Sequence, residues 1–481
     1  EEHGLHIWFG FYENAFAVLR DCYDELLRLE PDFHFARWSD AFKKHSYTPV
    51  GQQIDGRYSY WDVNWPENAD EPGTGGISLT PWGYITEFIN LIRIIIESFF
   101  DQNDDSPDGE DLPDWIVHSL GRALEKSPSA TVESVSLKRG KGVEKKSNES
   151  LLGANKAIDF LEAARRLLLR FAGTEESDGP EFGISAADED EIEAIRWLLT
   201  TFRNYVLQKL GDYWDSNVDA HHIRNAMDVG IAFVLGIINP KYGILEDWDL
   251  NRIDYLDFRQ WLIENGGDQK IVNEWSVMRA YYDTPFAYRG GDTDQPSWAA
   301  GSAARALIRI CTQYKGAVLY QVQSGMGEAL IAPIYRVLKE RGVRFHFFRK
   351  VKHLELNESK TAIKSIRLDI QAETKSGDPY NPVFKADNLL CWPSEPLWDQ
   401  LKDGATLKQN KVNFESHWNS WPAVRSETLQ SGQNFDSVIL GISLGAFKVL
   451  NEEGSLASEL IASNSRFRTM TENLDLIPTF G

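Results

Sequence analysis

The spacing of apolar residues changes once along this chain, and that change constrains the architecture more than any motif. From Pro81 to Tyr314 apolar side chains return every three or four positions, as in helices with one buried face. After Arg341 they alternate, or run in short blocks bounded by Gly, Asn and Asp, which suits strands. No internal repeat links the two stretches. The expectation is an α/β protein with a large helical insertion.

Phe16, Leu19, Cys22, Leu26 and Leu27 predict an earlier helix from Glu13 to Leu29. Residues 31–79 are rich in Trp, Tyr, Pro, Asp and Gly, so irregular structure with short strands is expected there. Thr80-Pro81 reads as a helix start, with Thr as the cap and Pro at the first position. That helix runs to Phe100 and carries Glu87, Asn90, Arg93 and Glu97 on one face. Further helices are expected over 151–171, 192–210, 221–238, 255–264, 270–281, 299–314 and 326–341. Strands are expected over 343–348, 351–356, 362–373, 385–392 and 437–442. The last of these leads through Gly441 and Gly445 into an apolar helical stretch.

The helix at 81–100 has two readings, a packed helix with one solvated stripe or a helix lying on a membrane surface. Its polar face holds a single basic residue, which favours packing, and its polar residues exclude a membrane span. Peripheral membrane contact stays open as the alternative to a cytoplasmic setting. Cys22, Cys311 and Cys391 are odd in number and far apart, so neither a disulfide framework nor a cysteine zinc site is expected.

Charge excludes one class of partner. With 50 Lys+Arg against 72 Asp+Glu the net charge is −22, which opposes broad contact with nucleic-acid phosphates. Much of it is local, because 101–111 (within a loop ending near 112) and 173–193 hold 6 and 9 acidic residues. These segments read as solvated insertions, as does the polar stretch 127–150 with Lys138, Arg139, Lys141, Lys145 and Lys146.

Few motifs carry chemistry by themselves. His221 and His222 are adjacent, so on a helix they point about 100° apart and cannot chelate together. His3 and His6 have no third ligand nearby in sequence, and no metal site is expected. Gly441-Ile442-Ser443-Leu444-Gly445 has the letters of a nucleophile elbow. No histidine follows His417, so a Ser443 hydrolase lacks its usual base. Gly325-Met326-Gly327 opens a helix and is able to present backbone N–H groups to an anion. Neither G-x-G-x-x-G nor G-x-x-x-x-G-K-[ST] occurs after a strand.

The order of several segments nevertheless resembles one superfamily. Glu2-His3-Gly4-Leu5-His6-Ile7-Trp8-Phe9-Gly10-Phe11-Tyr12-Glu13-Asn14 resembles the E-x-G-L-H-I-x-F-G-x-Y-x-N segment of carotenoid (phytoene and ζ-carotene) desaturases. Gln323-Ser324-Gly325-Met326-Gly327, then Arg341-Gly342-Val343-Arg344-Phe345 with Val351 and Leu354, resembles a later passage of the same FAD-dependent amine oxidase/desaturase-like superfamily. Asp436 to Ser443 is similar to the strand that returns to the flavin. Phe286-Ala287-Tyr288-Arg289 and Tyr314-Lys315-Gly316-Ala317 look like bacterial oxidoreductases of this type.

The resemblance implies a flavin-dependent oxidoreductase with a divided FAD-binding (Rossmann-like) domain and a mostly α-helical substrate domain. The division would be 1–50 near the flavin, 51–320 for substrate, and 321–481 for the remaining α/β portion. Gly4, Leu5 and His6 would lie beside the flavin, Val351 would offer its backbone to the adenine, and Gly441, Ile442 and Ser443 would pass near the cofactor. Gln323 and Met326 would face the substrate, an apolar or amine-bearing small molecule. The family's G-x-G-x-x-G strand and C-terminal flavin motif are not among these 481 residues. They are expected on a companion chain, or removed by processing, or simply not part of this sequence. The alternative is a non-catalytic binding or scaffold protein that retains the fold.

Overall fold

The computed structural model describes residues 7–54, 57–75, 79, 81–100, 189–209, 218–416, 419–449 and 456–474. Gly4, Leu5, His6, Thr80, the helix expected over 151–171, the loops at 101–112 and 127–150, and the loop 173–193 as far as 188 lie outside the described residues. The described chain divides into two units. A helical unit comprises Ile7–Ala17 and Lys44–Gln321, and a β-rich unit comprises Val18–Lys43 with the described residues from Val322 onward.

In the helical unit, β1 (Ile7–Phe9) pairs antiparallel with β4 (Leu319–Val322), Trp8 facing Tyr320. Helix α1 (Glu13–Leu29) follows, and its Phe16 packs edge-on against Trp8 and Tyr320. Gly10 joins strand and helix where no side chain fits, since an added Cβ would sit 2.0 Å from the Ala317 carbonyl oxygen. Strands β2 (Tyr47–Ile54) and β3 (Arg57–Asn64) form an antiparallel ribbon. Pro49 is tolerated in β2 because a two-stranded ribbon consists only of edges.

The longer described helices are α2 (Pro81–Phe100), α3 (Glu189–Lys209), α4 (Val218–Ile237), α5 (Phe258–Glu264), α6 (Gln269–Glu274), α7 (Ser276–Asp283) and α8 (Ala300–Thr312). Helix α4 is buried almost all round from Ile231 to Ile237, as the central member of a helical core must be. Gly236 lets the Trp261 indole lie against its backbone, where an added Cβ would meet the ring at 2.3 Å. The described turns of α2 bury Trp82, Ile85, Phe88, Ile89 and Ile92 in the same core. Aspartates start the shorter helices: Asp257 accepts from the Arg259 amide, and Asp268 from those of Lys270 and Ile271. The continuous helix expected over 270–281 is broken at Trp275, whose backbone is extended (φ −62°, ψ 129°).

In the β-rich unit, Leu19, Cys22, Tyr23 and Leu26 of α1 are buried. A π-turn over Gly327–Ile331 precedes α9 (Ala332–Glu340), so the helix expected over 326–341 begins with a wider turn. The Tyr23 hydroxyl donates to the Ala329 carbonyl at 2.9 Å. Strands β5 (Arg349–Leu356) and β9 (Arg425–Gln430) flank β6 (Ile363–Ile370) in an antiparallel sheet. The single strand expected over 385–392 is instead a hairpin of β7 (Phe384–Ala386) and β8 (Leu389–Cys391). Asp387 and Asn388 turn it with positive φ values of 46° and 62°, the geometry of a two-residue hairpin loop. Short helices follow, among them α10 (Gly404–Gln409), α11 (Leu444–Val449), α12 (Ser458–Ser463) and α13 (Ser465–Glu472).

The fold is thus a mixture of helices and small antiparallel sheets, broadly α/β. Every ladder between the named strands is antiparallel. Two expected strands do not form. Residues 343–347 and 437–441 run without bend, turn or ladder, because an apolar run becomes a strand only when a neighbour pairs with its backbone. Phe345 and Phe347 pack instead against Tyr335 and Trp392. Among the described residues, no helix is long and apolar enough to cross a membrane.

Candidate functional site

Val351 and Ile442 come together in the β-rich unit. Val351 lies on β5, opposite Leu368, and its side chain packs on the cluster of Leu354, Phe447, Leu456, Ala457 and Ile461. Leu440, Ile442 and Leu444 pack on the same cluster. Gly441 and Ser443 face outward between them, and a Cβ added at Gly441 would meet nothing within 4 Å. The Ser443 carbonyl accepts from the Ala446 amide at 3.0 Å as α11 begins. No described side chain bonds to the Ser443 hydroxyl, so the structure shows no base beside it.

Next along β5, His353 Nε2 lies 2.9 Å from Glu459 Oε1, while the Leu356 amide donates to the other oxygen at 3.0 Å. The backbone donor, with His353 beside it, holds the Glu459 carboxyl below the usual carboxylate range. This clasp fixes α12 against the strand that carries Val351.

Gln323 and Met326 are placed elsewhere. The Gln323 amide donates to the Ala41 carbonyl at 2.8 Å, and Met326 caps the π-turn. The Gly325 carbonyl accepts from the amides of Glu328 and Ala329 at 3.2 and 2.9 Å. Those two N–H groups are therefore committed to the turn. Gln323 and Met326 belong to this helix entry and not to the apolar cluster of Val351.

The helical unit has its own polar centre, which sequence reasoning missed. His222 is fully buried, stacked on Trp61 with ring centroids 4.9 Å apart and planes 3° apart. The Trp275 indole N–H donates to His222 Nδ1 at 2.9 Å. An accepting Nδ1 leaves the proton of the neutral ring on Nε2, and that nitrogen is buried with no partner. Burial pushes the imidazole down to about 4, with the charge of His221 adding to the shift. Asn225 Oδ1, three residues along α4, is also buried without a partner. Nothing in the local sequence signals this centre, because Trp61 and Trp275 arrive from distant segments. It explains the break in the helix at Trp275, whose backbone turns where its indole reaches His222.

A second buried group closes the start of α1. The Lys315 side chain is 7% exposed, and its ammonium lies 3.1 Å from Glu13 Oε1 and 3.1 Å from Thr74 Oγ1. Glu13 also accepts from the amides of Gly73 and Gly75 at 3.0 and 2.5 Å. Burial raises the Glu13 carboxyl, but the two backbone donors and Lys315 together carry it below its usual value. Every atom named here is used in holding the loop 73–75 to the helix.

Against Tyr84, Phe88, Phe233, Trp248 and Ile308 the helical core leaves about 10 Å³ of space, at the lower limit of what holds one water. Among the described residues no group of three or more His, Cys, Asp or Glu is arranged to hold a metal ion. Comparison of the chain with protein families, with curated proteins and with solved structures returns no match.

Proposed function

We propose that the chain is a flavin-dependent oxidoreductase, or the central portion of one, acting on an apolar or amine-bearing small molecule. The observation that carries this reading is the meeting of Val351 and Ile442 on one apolar cluster. These are the positions where the resemblance expects contact with FAD, and they lie far apart in sequence. Open space over Gly441 suits the approach of a bulky planar group, and it lies where an apolar run ends and a helix begins. When bound, the flavin supplies the hydride acceptor. The chain's own residues would position it through the backbone of Val351 and of Gly441 to Ser443. The helical unit would carry the substrate.

A second reading is a non-catalytic binding or scaffold protein that retains the fold. The two readings separate on one experiment, incubation with FAD followed by ultrafiltration and a visible spectrum. Retained absorption at about 375 and about 450 nm supports the oxidoreductase. Retention should fall in Gly441→Trp, a change the open space accommodates without unfolding. A colourless retentate favours the scaffold.

A further inference from the structure

The β2–β3 ribbon is tied to the helices at one place. Among its described residues, one hydrogen bond leaves the ribbon for a helix, from Ser276 Oγ to Gln52 Oε1 at 3.0 Å. The ribbon's other attachment is Trp61, which packs on the helical core and stacks on His222 with planes 3° apart. Ser276 opens α7 directly after Trp275, whose indole N–H donates to the same imidazole at 2.9 Å. The ribbon, α4 and the joint between α6 and α7 therefore meet on His222. We propose that His222 is an acid-operated latch, whose protonation releases the β2–β3 ribbon as a unit from a helical core that stays folded.

The neutral ring suits this joint and the charged ring does not. A second proton would sit on Nδ1, the atom that accepts from Trp275, so two N–H groups would then face each other. Nε2, already a buried donor without an acceptor, would share the charge. Of the described titratable groups, His221 acts on that charge and opposes it. Arg224 on α4, Asp62 beside Trp61 and Glu274 beside Trp275 supply no attraction to it. Asp62 is engaged instead by the Tyr47 hydroxyl at 2.7 Å. The imidazolium is satisfied in water, and reaching water means leaving the stack. Trp61 then loses its ring partner, and the joint that carries Ser276 loses its anchor. A two-stranded ribbon parted from its packing surface is marginal in water, so its ladder opens. Ile231 to Ile237 lie more than two turns further along α4 and keep their burial in the helical core. The latch is independent of any flavin bound to the β-rich unit.

Hydrogen exchange of the full chain read by mass spectrometry, corrected for the intrinsic effect of pH, tests it. From about pH 7.5 to about pH 4.5, protection of the 47–54 and 57–64 amides should fall about ten- to a hundredfold, while that of 231–237 holds. The size follows from an imidazole that titrates at about 4 in the stack and about 6.5 in water. His222→Gln keeps an oxygen to accept from Trp275 and does not titrate, so the loss should vanish. His222→Phe, which keeps a ring on Trp61, should give the same result. Trp275→Phe removes the donor that opposes the second proton and should move the loss to higher pH. Protection lost from the ribbon and from 231–237 together would overturn the proposal. So would a ribbon loss that persists in the His222 variants, or none down to about pH 4.

Discussion

The two units are stabilised in different ways. The helical unit has one continuous core, in which Phe202, Phe258, Trp261 and Tyr282 are all fully buried. The β-rich unit has smaller separate clusters, one around Leu354 and Phe447 and another around Leu401 and Leu407. It also carries two apolar runs without ladders. A helix satisfies its backbone within itself, so packing its apolar face completes it. A strand borrows its hydrogen bonds from a neighbour, so a unit of few strands stays open wherever a neighbour is absent.

The largest effect expected from this contrast is in the helical core. Trp261→Ala should cost about 3–5 kcal/mol, because the indole fills space against Gly236 that cannot collapse. Leu354→Ala should cost less, about 2–3 kcal/mol, in a cluster already edged by half-buried residues. Denaturant titration of both variants measures the difference, and equal losses would break the comparison.

Lys315→Met should cost about 1–3 kcal/mol by leaving the half-buried Glu13 without its cation. Adding Glu13→Gln should recover part of that loss in the same titration. The sign of the pH effect follows from Glu13 itself. A carboxyl held low contributes stability above its unfolded pKa, and that contribution is lost as pH falls through the folded value. In Glu13→Gln this part of the acid loss should disappear.

His222 predicts a separate acid response. Its imidazole titrates near 4 when folded, against about 6.5 when unfolded, so the folded state favours the neutral ring. The stability is fully present above pH about 6.5 and is lost as pH falls towards 4, by at most about 3 kcal/mol. Thermal melts across that window should show the slope, and His222→Phe should flatten it. An unchanged slope would place the acid sensitivity elsewhere.

The smallest effect expected is at Ser443. Its hydroxyl is exposed and meets no described side chain, so Ser443→Ala should change stability by less than about 0.5 kcal/mol. A larger loss would reveal a contact that makes the β-rich unit more closed than described.

What the sequence made legible follows the same division. Helical periodicity is a local signal, and α1, α2, α4 and α8 fall within a few residues of their expected places. Helix breaks were less visible, since the turn at Trp275 depends on an indole reaching a distant histidine. Strands were legible as apolar runs but not as ladders. The runs at 343–348 and 437–442 have the composition of strands and lack partners, which no single segment can report. Of the candidate site, Val351 and Ile442 pack on one apolar cluster, whereas Gln323 and Met326 lie at a helix entry. Gly4, Leu5 and His6 lie outside the described residues.

We propose that the β-rich unit offers its Val351 and Gly441–Ser443 backbone to FAD. Hydrogen exchange of the full chain, with and without millimolar FAD, tests it most directly. Slowed exchange at Val351 and across Gly441–Ser443, with the helical core unchanged, is the expected result. Exchange at these residues that FAD leaves untouched, while the cofactor gives no binding heat, would contradict it.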